Sequence, residues 1–420
     1  MEFFRITGGK ALSGEYRVNG AKNSALPILA AAVAVPGVHR IMDCPHIEDV
    51  RIMMDILKTL GGTVKYEQDC VVVDTTCADG CVVSQSMMSK MRSSVFLLGS
   101  MLARTGEAII YRPGGCRIGK RPIDIHIDGL RAMGFAVDIL GEKICCKGKS
   151  RGGVITLPYP SVGATENLIM AALSSPEETV IRNCAAEPEI VDLQGFLRCC
   201  GCDVSGAGTY EICVRGCDKK FYNDAEYIIV EDRIEAATYM AAVLGTGGNC
   251  VFKNIRPELI SSVLSVFERM GAVITSYGDM IEIKSPPKLK SPGIVITEVY
   301  PGFPTDCQPQ ILSLCTVASG ITTIREEIFE NRFTHKKELL KMGANIEICG
   351  KNAIIKGIDS LKGTSVLAQD LRGGAALVLA GLFAEGETTV AGIEHIDRGY
   401  REFEKGLSKL GGSIERRKTD

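Results

Sequence analysis

The chain has 420 residues, of which 45% are hydrophobic and 23% charged, with a formal net charge of −2. That length exceeds what one hydrophobic core usually serves, so two domains are expected. A near-neutral balance argues against a general nucleic-acid or anionic-membrane surface. The start, Met1-Glu-Phe-Phe-Arg5, lacks the apolar run of a signal peptide. The longest near-apolar stretch, Ala25 to Val38, is broken by Pro27 and Pro36 and is shorter than the ~20 residues of a membrane helix. A soluble cytoplasmic protein is expected. The 17 cysteines are odd in number and mostly sit in apolar company, as in Lys143-Ile-Cys-Cys146 and Glu211-Ile-Cys213. They read as small hydrophobes in a reducing compartment. Cys77/Cys81 and Cys213/Cys217 lack neighbouring ligands at zinc-site spacing, so no metal and no cofactor are expected.

Along the chain one pattern recurs. Six stretches end alike: Leu57-Lys-Thr-Leu-Gly61, Leu130-Arg-Ala-Met-Gly134, Leu197-Arg-Cys-Cys-Gly201, Phe267-Glu-Arg-Met-Gly271, Leu339-Leu-Lys-Met-Gly343 and Leu407-Ser-Lys-Leu-Gly411. Their glycines are 73, 67, 70, 72 and 68 positions apart, so one supersecondary unit is used six times. Each unit opens with an Ala/Leu-rich helix, apolar nearly all round and therefore buried on most sides. These are Pro27 to Val33, Val95 to Leu102, Leu168 to Leu173, Ala236 to Val243, Ile311 to Cys315 and Ala375 to Ala380. A turn follows, at Gly37, Gly106, Gly247, Gly320 or Gly386, with Pro176-Glu-Glu in the third unit. A short β segment comes next, such as Ala108 to Tyr111 or Thr388 to Val390. An amphipathic helix then stops at the shared glycine, and alternating strands close the unit, as in Thr63 to Tyr66 and Val71 to Val73. The result is an α/β protein. Its size favours two clusters of three repeats over a ring or an open solenoid.

Polar residues keep the same beat at the starts of the apolar helices. Lys22, Arg92, Ser161, Arg233, Asp306 and Arg372 follow one another at intervals of 70, 69, 72, 73 and 66. Helix capping accounts for Ser161, Asp306 and Asp370. It does not account for Lys22, Arg92, Arg233 and Arg372, since a cation at a helix N-terminus opposes the macrodipole. Cations repeated there point to a bound phosphate or carboxylate. Arg332 and Arg398, in Glu330-Asn-Arg-Phe333 and His395-Ile-Asp-Arg398, extend the set. Glu187-Pro-Glu189 and Glu330 open amphipathic helices, where acids suit the dipole. His126 and His395 read equally as structural residues or ligands.

The loop Tyr111-Arg-Pro-Gly-Gly-Cys-Arg-Ile-Gly-Lys-Arg-Pro122 departs from its repeat. Arg112, Arg117, Lys120 and Arg121 surround Cys116 with no acid before Asp124. Such surroundings lower a thiol pKa from its reference of ~8.5, so Cys116 is the reactive candidate, as nucleophile or as proton donor.

Together Gly20-Ala-Lys-Asn23, Arg112-Pro-Gly-Gly-Cys-Arg-Ile-Gly119, Arg121-Pro-Ile-Asp124, Ser161-Val-Gly-Ala-Thr165, Glu187-Pro-Glu-Ile-Val-Asp192, Phe303-Pro-Thr-Asp306, Glu330-Asn-Arg-Phe333, Asp370-Leu-Arg372 and His395-Ile-Asp-Arg-Gly399 resemble the UDP-N-acetylglucosamine enolpyruvyl transferases over the whole chain. A relative acting on shikimate phosphate shares the six-repeat fold but lacks the cysteine loop. At Tyr159-Pro160 the sequence departs from members that present a lysine. The resemblance implies an enolpyruvyl transferase fold, an inside-out α/β barrel of two domains, each with three βαβαββ repeats. Residues 22–229 would form the first domain; residues 1–21 and 230–420 would form the second, with the site in the cleft between them. Hinges are expected at Asn19 to Lys22 and Ile228 to Asp232.

The implied reaction transfers the enolpyruvyl group of phosphoenolpyruvate to the 3′-hydroxyl of UDP-N-acetylglucosamine, through a tetrahedral ketal, with release of phosphate. It is the first committed step of peptidoglycan precursor synthesis. By resemblance, the catalytic residues are Cys116 (proton donor, able to form an adduct with phosphoenolpyruvate and to be alkylated by fosfomycin), Asp306 (base), Lys22 and Arg398. Phosphoenolpyruvate falls to Lys22, Asn23, Arg121, Arg332, Arg372 and Arg398. The sugar nucleotide falls to Asn23, Arg92, Arg121, Pro122, Ile123, Asp124, Ile125, Ser161, Val162, Gly163, Asp306 and Ile328. Both substrates are small molecules, and no nucleic acid, membrane or obligate protein partner is implied. Two alternatives stay open: the same fold acting on another acceptor, and a catalytically silent binding paralogue. The joint presence of Cys116, Asp306, Lys22 and Arg398 argues against the second.

Overall fold

In the computed structural model, which describes residues 2–112, 123–175, 177–216 and 223–418, the six sequence repeats become βαβαββ modules. One module shows the plan whole. Strand Ile294–Ile296, helix Gln308–Cys315, strand Ile321–Arg325 and helix Lys336–Lys341 lead to a hairpin of Asn345–Cys349 and Asn352–Lys356. The first strand pairs parallel with the second. The second pairs antiparallel with the last, which also carries the hairpin partner. A parallel pair needs a long crossover, and the apolar helix provides it.

Three modules borrow a strand from distant sequence. Ala225–Ile228 pairs parallel with Val38–Met42, and Ser13–Arg17 pairs parallel with Asn249–Lys253. Glu2–Thr7 lies antiparallel between Glu387–Ala391 and Ser413–Lys418. In the module of Glu107–Tyr111, Ala136–Leu140 and Lys143–Lys147 the leading strand shrinks to one parallel bridge, Val82 to Ile109.

The described residues form two compact units. One holds those up to Asn19 and from Glu231 onward; the other runs from Gly20 to Val230. In the Gly20–Val230 unit, helices Lys22–Ala34, Leu97–Thr105 and Val162–Ala172 pack on one another. In the other, Arg233–Gly245, Gln308–Cys315 and Leu371–Phe383 do the same. Every residue from Ser24 to Ala34 is buried, as an all-round apolar helix requires. Within each unit the helices are therefore inside and the sheets outside. Six open sheets result among the described residues, and no closed barrel of strands. Close helix contact depends on small residues. A Cβ on Gly99 would lie 2.1 Å from the Asn167 carbonyl oxygen.

The shared glycine stops each amphipathic helix in one conformation. Gly61, Gly134, Gly201, Gly271, Gly343 and Gly411 have φ of 95, 95, 89, 97, 92 and 96°, a region open to glycine at little cost. One turn glycine is small for another reason, and two helix starts differ from expectation. Gly37 is not in that region, unlike Gly106, Gly247, Gly320 and Gly386. It is small because a Cβ there would sit 2.9 Å from the Asp224 carboxylate, which receives the Val38 N–H. The second apolar helix begins as a 3-10 turn, Arg92–Phe96, before Leu97–Thr105. Glu330-Asn-Arg-Phe333 forms turns, and its helix starts only at Lys336. The cysteines among the described residues are free, and nine of them are buried; burial pushes the thiols of Cys146, Cys250 and Cys315 up to about 12. Cys77, Cys199 and Cys349 are exposed. No helix among the described residues is long and apolar enough to cross a membrane.

Candidate active site

In the Gly20–Val230 unit, Lys22 is the first residue of helix Lys22–Ala34, and Ala21 before it offers no side-chain cap. Lys22 is only 8% exposed. Its Nζ lies 2.6 Å from Oδ2 of Asp49, which sits in the first turn of helix Glu48–Thr59 and is 1% exposed. The carboxylate offsets a cation that the dipole of its own helix disfavours. Lys22 is thus a fixed, buried charge and not a solvated one. Half-buried Asn23 precedes Ser24, whose hydroxyl donates to Asp192. Asp192 also receives the Tyr227 hydroxyl at 2.7 Å and the Val230 N–H at 3.1 Å, and Ala21 N–H donates to Val230 C=O at 2.7 Å. The start of the helix is pinned on both sides.

Gly163 gathers the other segments of this unit. A Cβ there would meet Phe96 Cε1 at 3.3 Å and His126 Cε1 at 3.4 Å. The Ser161–Gly163 segment, the Arg92–Phe96 turn and the Ile123–His126 segment therefore adjoin. Ser161, Val162, Gly163, Arg92, Ile123 and Ile125 are half-buried, and Asp124 is exposed at the start of helix Asp124–Ala132. Ser161 caps its helix through the Ala164 N–H at 3.4 Å. Asn167 fixes His126. Its amide donates to His126 Nδ1 at 3.0 Å and to Val95 C=O, while its Oδ1 accepts the Gly99 N–H. That pattern assigns the His126 proton to Nε2. Deeper in, the Glu166 carboxyl is buried without a hydrogen-bond partner among the described residues. Burial, with Glu189 and Glu187 nearby, pushes it far above the usual carboxylate range, so it is neutral.

In the other unit, Asp306 lies in the 3-10 turn Thr305–Cys307. Its Oδ1 accepts Arg332 Nη2 at 2.7 Å, and its Oδ2 faces Arg372 Nε and Nη2, each at 3.3 Å. Both arginines are 3% exposed, and Arg332 Nε also donates to Thr305 C=O at 3.3 Å. Burial works against the Arg372 charge, yet Tyr400, Asp306 and Asp232 around it hold its pKa above the ordinary value. Arg233, first in helix Arg233–Gly245, lies over the Tyr300 ring at 5.6 Å. Arg372 meets Asp306 directly, and helix Arg233–Gly245 packs against the Thr305–Cys307 turn, so the three helix starts of this unit converge.

Capping explains less here than the sequence suggested. Asp370 caps Gly373 N–H at 2.9 Å, and Asp232 caps Ile234 and Glu235 at 2.9 Å. Asp306 binds Arg332 and Arg372. Glu326, buried and absent from the sequence reading, accepts the Ile328 and Phe329 N–H groups at 3.0 and 3.1 Å and the Thr305 hydroxyl at 3.1 Å. It ties half-buried Ile328 to the Asp306 turn. Arg398 is half-buried in the turn after Ile393–His395. Its neighbour Asp397 is gripped by Arg416 at 2.6 and 3.0 Å. His335 is buried beside Asp370 and Arg332; burial pushes it down to about 4, so the ring is neutral.

The predicted residues divide between the units: Lys22, Asn23, Arg92, Ile123, Asp124, Ile125 and Ser161 to Gly163 lie in one, and Asp306, Ile328, Arg332, Arg372 and Arg398 in the other. Cys116, Arg121 and Pro122, with Arg117 and Lys120, lie outside the described residues. Sequence reasoning missed Asp49, Glu166 and Glu326. Asp49 carried a readable sign, an acid in the first turn of an amphipathic helix, but that sign reads equally as dipole compensation.

Comparison with known proteins places this geometry. Residues 6–407 match the family described as EPSP synthase (3-phosphoshikimate 1-carboxyvinyltransferase). The chain is 46% identical over 422 residues to UDP-N-acetylglucosamine 1-carboxyvinyltransferase 1 of Symbiobacterium thermophilum, covering 99% of this chain and 95% of that protein. It is 45% identical over 414 residues to UDP-N-acetylglucosamine 1-carboxyvinyltransferase 2 of Caldanaerobacter subterraneus subsp. tengcongensis, covering 98% and 99%. The enolpyruvyl transferase NikO from Streptomyces tendae superposes with TM-score 0.88 at 24% identity, covering 100% of this chain and 99% of that one. EPSP synthase from Acinetobacter baumannii gives 0.75 at 20%, each chain covered in full. These two likenesses establish a common fold. With nearly full-length matches of this strength, the chain belongs to the EPSP synthase family, in the branch of the UDP-N-acetylglucosamine 1-carboxyvinyltransferases.

Proposed function

We propose that the chain transfers the enolpyruvyl group of phosphoenolpyruvate to the 3′-hydroxyl of UDP-N-acetylglucosamine and releases inorganic phosphate. The observation that carries this is the 45–46% identity, across nearly the whole chain, to transferases named for that sugar nucleotide. The buried cations Lys22, Arg332 and Arg372 fit reactants that carry a phosphate, a carboxylate and a diphosphate.

In the forward reaction the methylene carbon of phosphoenolpyruvate gains a proton from Cys116, and the 3′-oxygen bonds to C2 as Asp306 takes its proton. The tetrahedral ketal then loses a proton from its methyl group and expels phosphate, which restores the double bond. Lys22, Arg121, Arg332, Arg372 and Arg398, with Asn23, hold phosphoenolpyruvate. Asn23, Arg92, Arg121 to Ile125, Ser161 to Gly163, Asp306 and Ile328 hold the sugar nucleotide. The arginine pair gives Asp306 a two-state character. A carboxylate held by two guanidiniums is stabilised as the anion and is a weak base. Once the substrate anion binds Arg332 and Arg372 and shares their positive charge, the proton affinity of Asp306 rises, so base strength appears when the reactant is present. The same neutralisation returns the Cys116 thiol to its protonated, acidic form. Placement and charge stabilisation supply most of the rest.

This reading makes the protein a cytoplasmic enzyme of cell-wall synthesis, needed for cell shape and division, that acts on small molecules without a protein partner and is a target of fosfomycin. Phosphate release from phosphoenolpyruvate, measured with UDP-N-acetylglucosamine and separately with shikimate 3-phosphate as acceptor, tests it. Release with the sugar nucleotide alone is expected. Release with shikimate 3-phosphate alone, or with neither, overturns the proposal.

A further inference from the structure

Tyr400 follows Arg398 by two residues and is 2% exposed. Its ring lies beneath the Arg372 guanidinium, 5.3 Å from centroid to Cζ. The turn that carries both residues is pressed against the start of helix Leu371–Phe383. A Cβ on Gly399 would stand 2.6 Å from the Leu371 side chain, so the Arg398-Gly399-Tyr400 turn lies close against the residue before Arg372. On its other flank the turn is anchored through Asp397 to Arg416, at 2.6 and 3.0 Å.

The hydroxyl of Tyr400 has a defined direction. Thr238 Oγ1 donates its proton to Ile234 C=O at 2.8 Å. Toward Tyr400 Oη, 2.8 Å away, it can therefore only accept. Gln310 Nε2 donates to Thr238 Oγ1 at 2.9 Å and to Tyr400 Oη at 3.3 Å. The phenol proton thus points at Thr238, which holds the ring beneath Arg372. Thr238, Gln310 and Arg372 come from the three central helices of this unit. Meanwhile Arg372 Nη1 is buried and has no hydrogen-bond partner among the described residues. One donor of a rigidly seated guanidinium is left for a ligand oxygen.

We propose that Tyr400 is a positioning residue: its ring face, held in place by the hydroxyl's bond to Thr238, seats Arg372, and its turn seats Arg398, so that both cations meet one anionic group of the three-carbon substrate. The inference rests on the function proposed above, which assigns both arginines to phosphoenolpyruvate. Tyr400 touches no reacting atom. It acts by fixing the geometry of two charges, where a displacement of an ångström weakens binding and orientation together.

The test compares Tyr400→Phe, Tyr400→Leu and Thr238→Val with the parent by phosphate-release kinetics, varying each substrate in turn. Phe252→Leu, in the same core but away from Arg372, controls for general loosening. Tyr400→Leu is expected to raise KM for phosphoenolpyruvate roughly tenfold or more, and Tyr400→Phe and Thr238→Val several-fold. KM for UDP-N-acetylglucosamine should stay within about twofold in all of them, and Phe252→Leu should move neither. An unchanged KM for phosphoenolpyruvate in the Tyr400 variants, or equal rises for both substrates, overturns the inference. Should Tyr400→Leu not fold, Tyr400→Phe and Thr238→Val decide. A parent chain that releases no phosphate refutes the functional reading, and the seating of Arg372 is then read from inorganic phosphate binding by calorimetry. The same order of weakening supports it; equal affinities refute it.

Discussion

Glu235 offers the clearest quantitative test of the structure. It is the third residue of helix Arg233–Gly245 and is buried. One carboxylate oxygen accepts the Tyr16 hydroxyl and Asn19 Nδ2, the latter at 2.7 Å. Burial, aided by the charge of Asp232, pushes its carboxyl up to about 7 from an ordinary 4.5. The folded state therefore binds a proton that the unfolded chain has already released between pH 4.5 and 7. Folding gains nothing from ionising this group: stability is fullest below the unfolded value, falls as pH rises through that window and levels off above 7. The difference corresponds to about 3 kcal/mol at neutral pH and above. Glu235→Gln keeps the shape and an oxygen for Tyr16 and Asn19 but has no proton to lose. Its stability relative to the parent should therefore rise by up to about 3 kcal/mol between pH 4.5 and 8. Since the chain has no tryptophan, urea unfolding is best followed by far-UV circular dichroism. Parent and variant curves that run parallel across this range would refute the reasoning.

Other substitutions probe the core and the chemistry. Gly99→Ala would drive a methyl group into the Asn167 carbonyl, 2.1 Å away, and should destabilise by about 1–3 kcal/mol or more; an unaltered thermal midpoint would contradict the close crossing of those helices. Asp306→Asn should lower kcat by roughly 100-fold or more with the circular dichroism spectrum unchanged, and a kcat near the parent value would remove Asp306 as base. Cys116→Ser should cripple turnover with the fold intact, and fosfomycin should inactivate the parent. Full activity of the parent after fosfomycin would count against the role given to the thiol.

How much of this was legible beforehand varies by element. The six glycine stops were, because a helix C-terminus that turns left-handed needs glycine wherever it occurs, and the residue is visible without knowing its neighbours. The apolar helices were legible for a similar reason: their all-round hydrophobicity can be satisfied only by burial. The beat of Lys22, Arg92, Arg233 and Arg372 singled out charged helix starts, because each is unfavourable in isolation. The partners of those charges were not legible. Nothing near Lys22 in the sequence points to Asp49, and nothing near Asp306 distinguishes a cap from a carboxylate claimed by Arg332 and Arg372.

The sequence by itself determined the module, its six-fold use and the residue types that break its apolar rule, since all of these follow from local periodicity and backbone preference. Only the tertiary structure decided which strands complete which sheet. Ala225–Ile228 joins Val38–Met42, and Glu2–Thr7 lies between Glu387–Ala391 and Ser413–Lys418. It also decided which acid meets which cation and how Tyr400 comes to lie under Arg372. Pairing between positions hundreds of residues apart depends on where packed helices bring the chain, and a pattern that repeats every seventy residues or so is the same for every copy and cannot single out one partner.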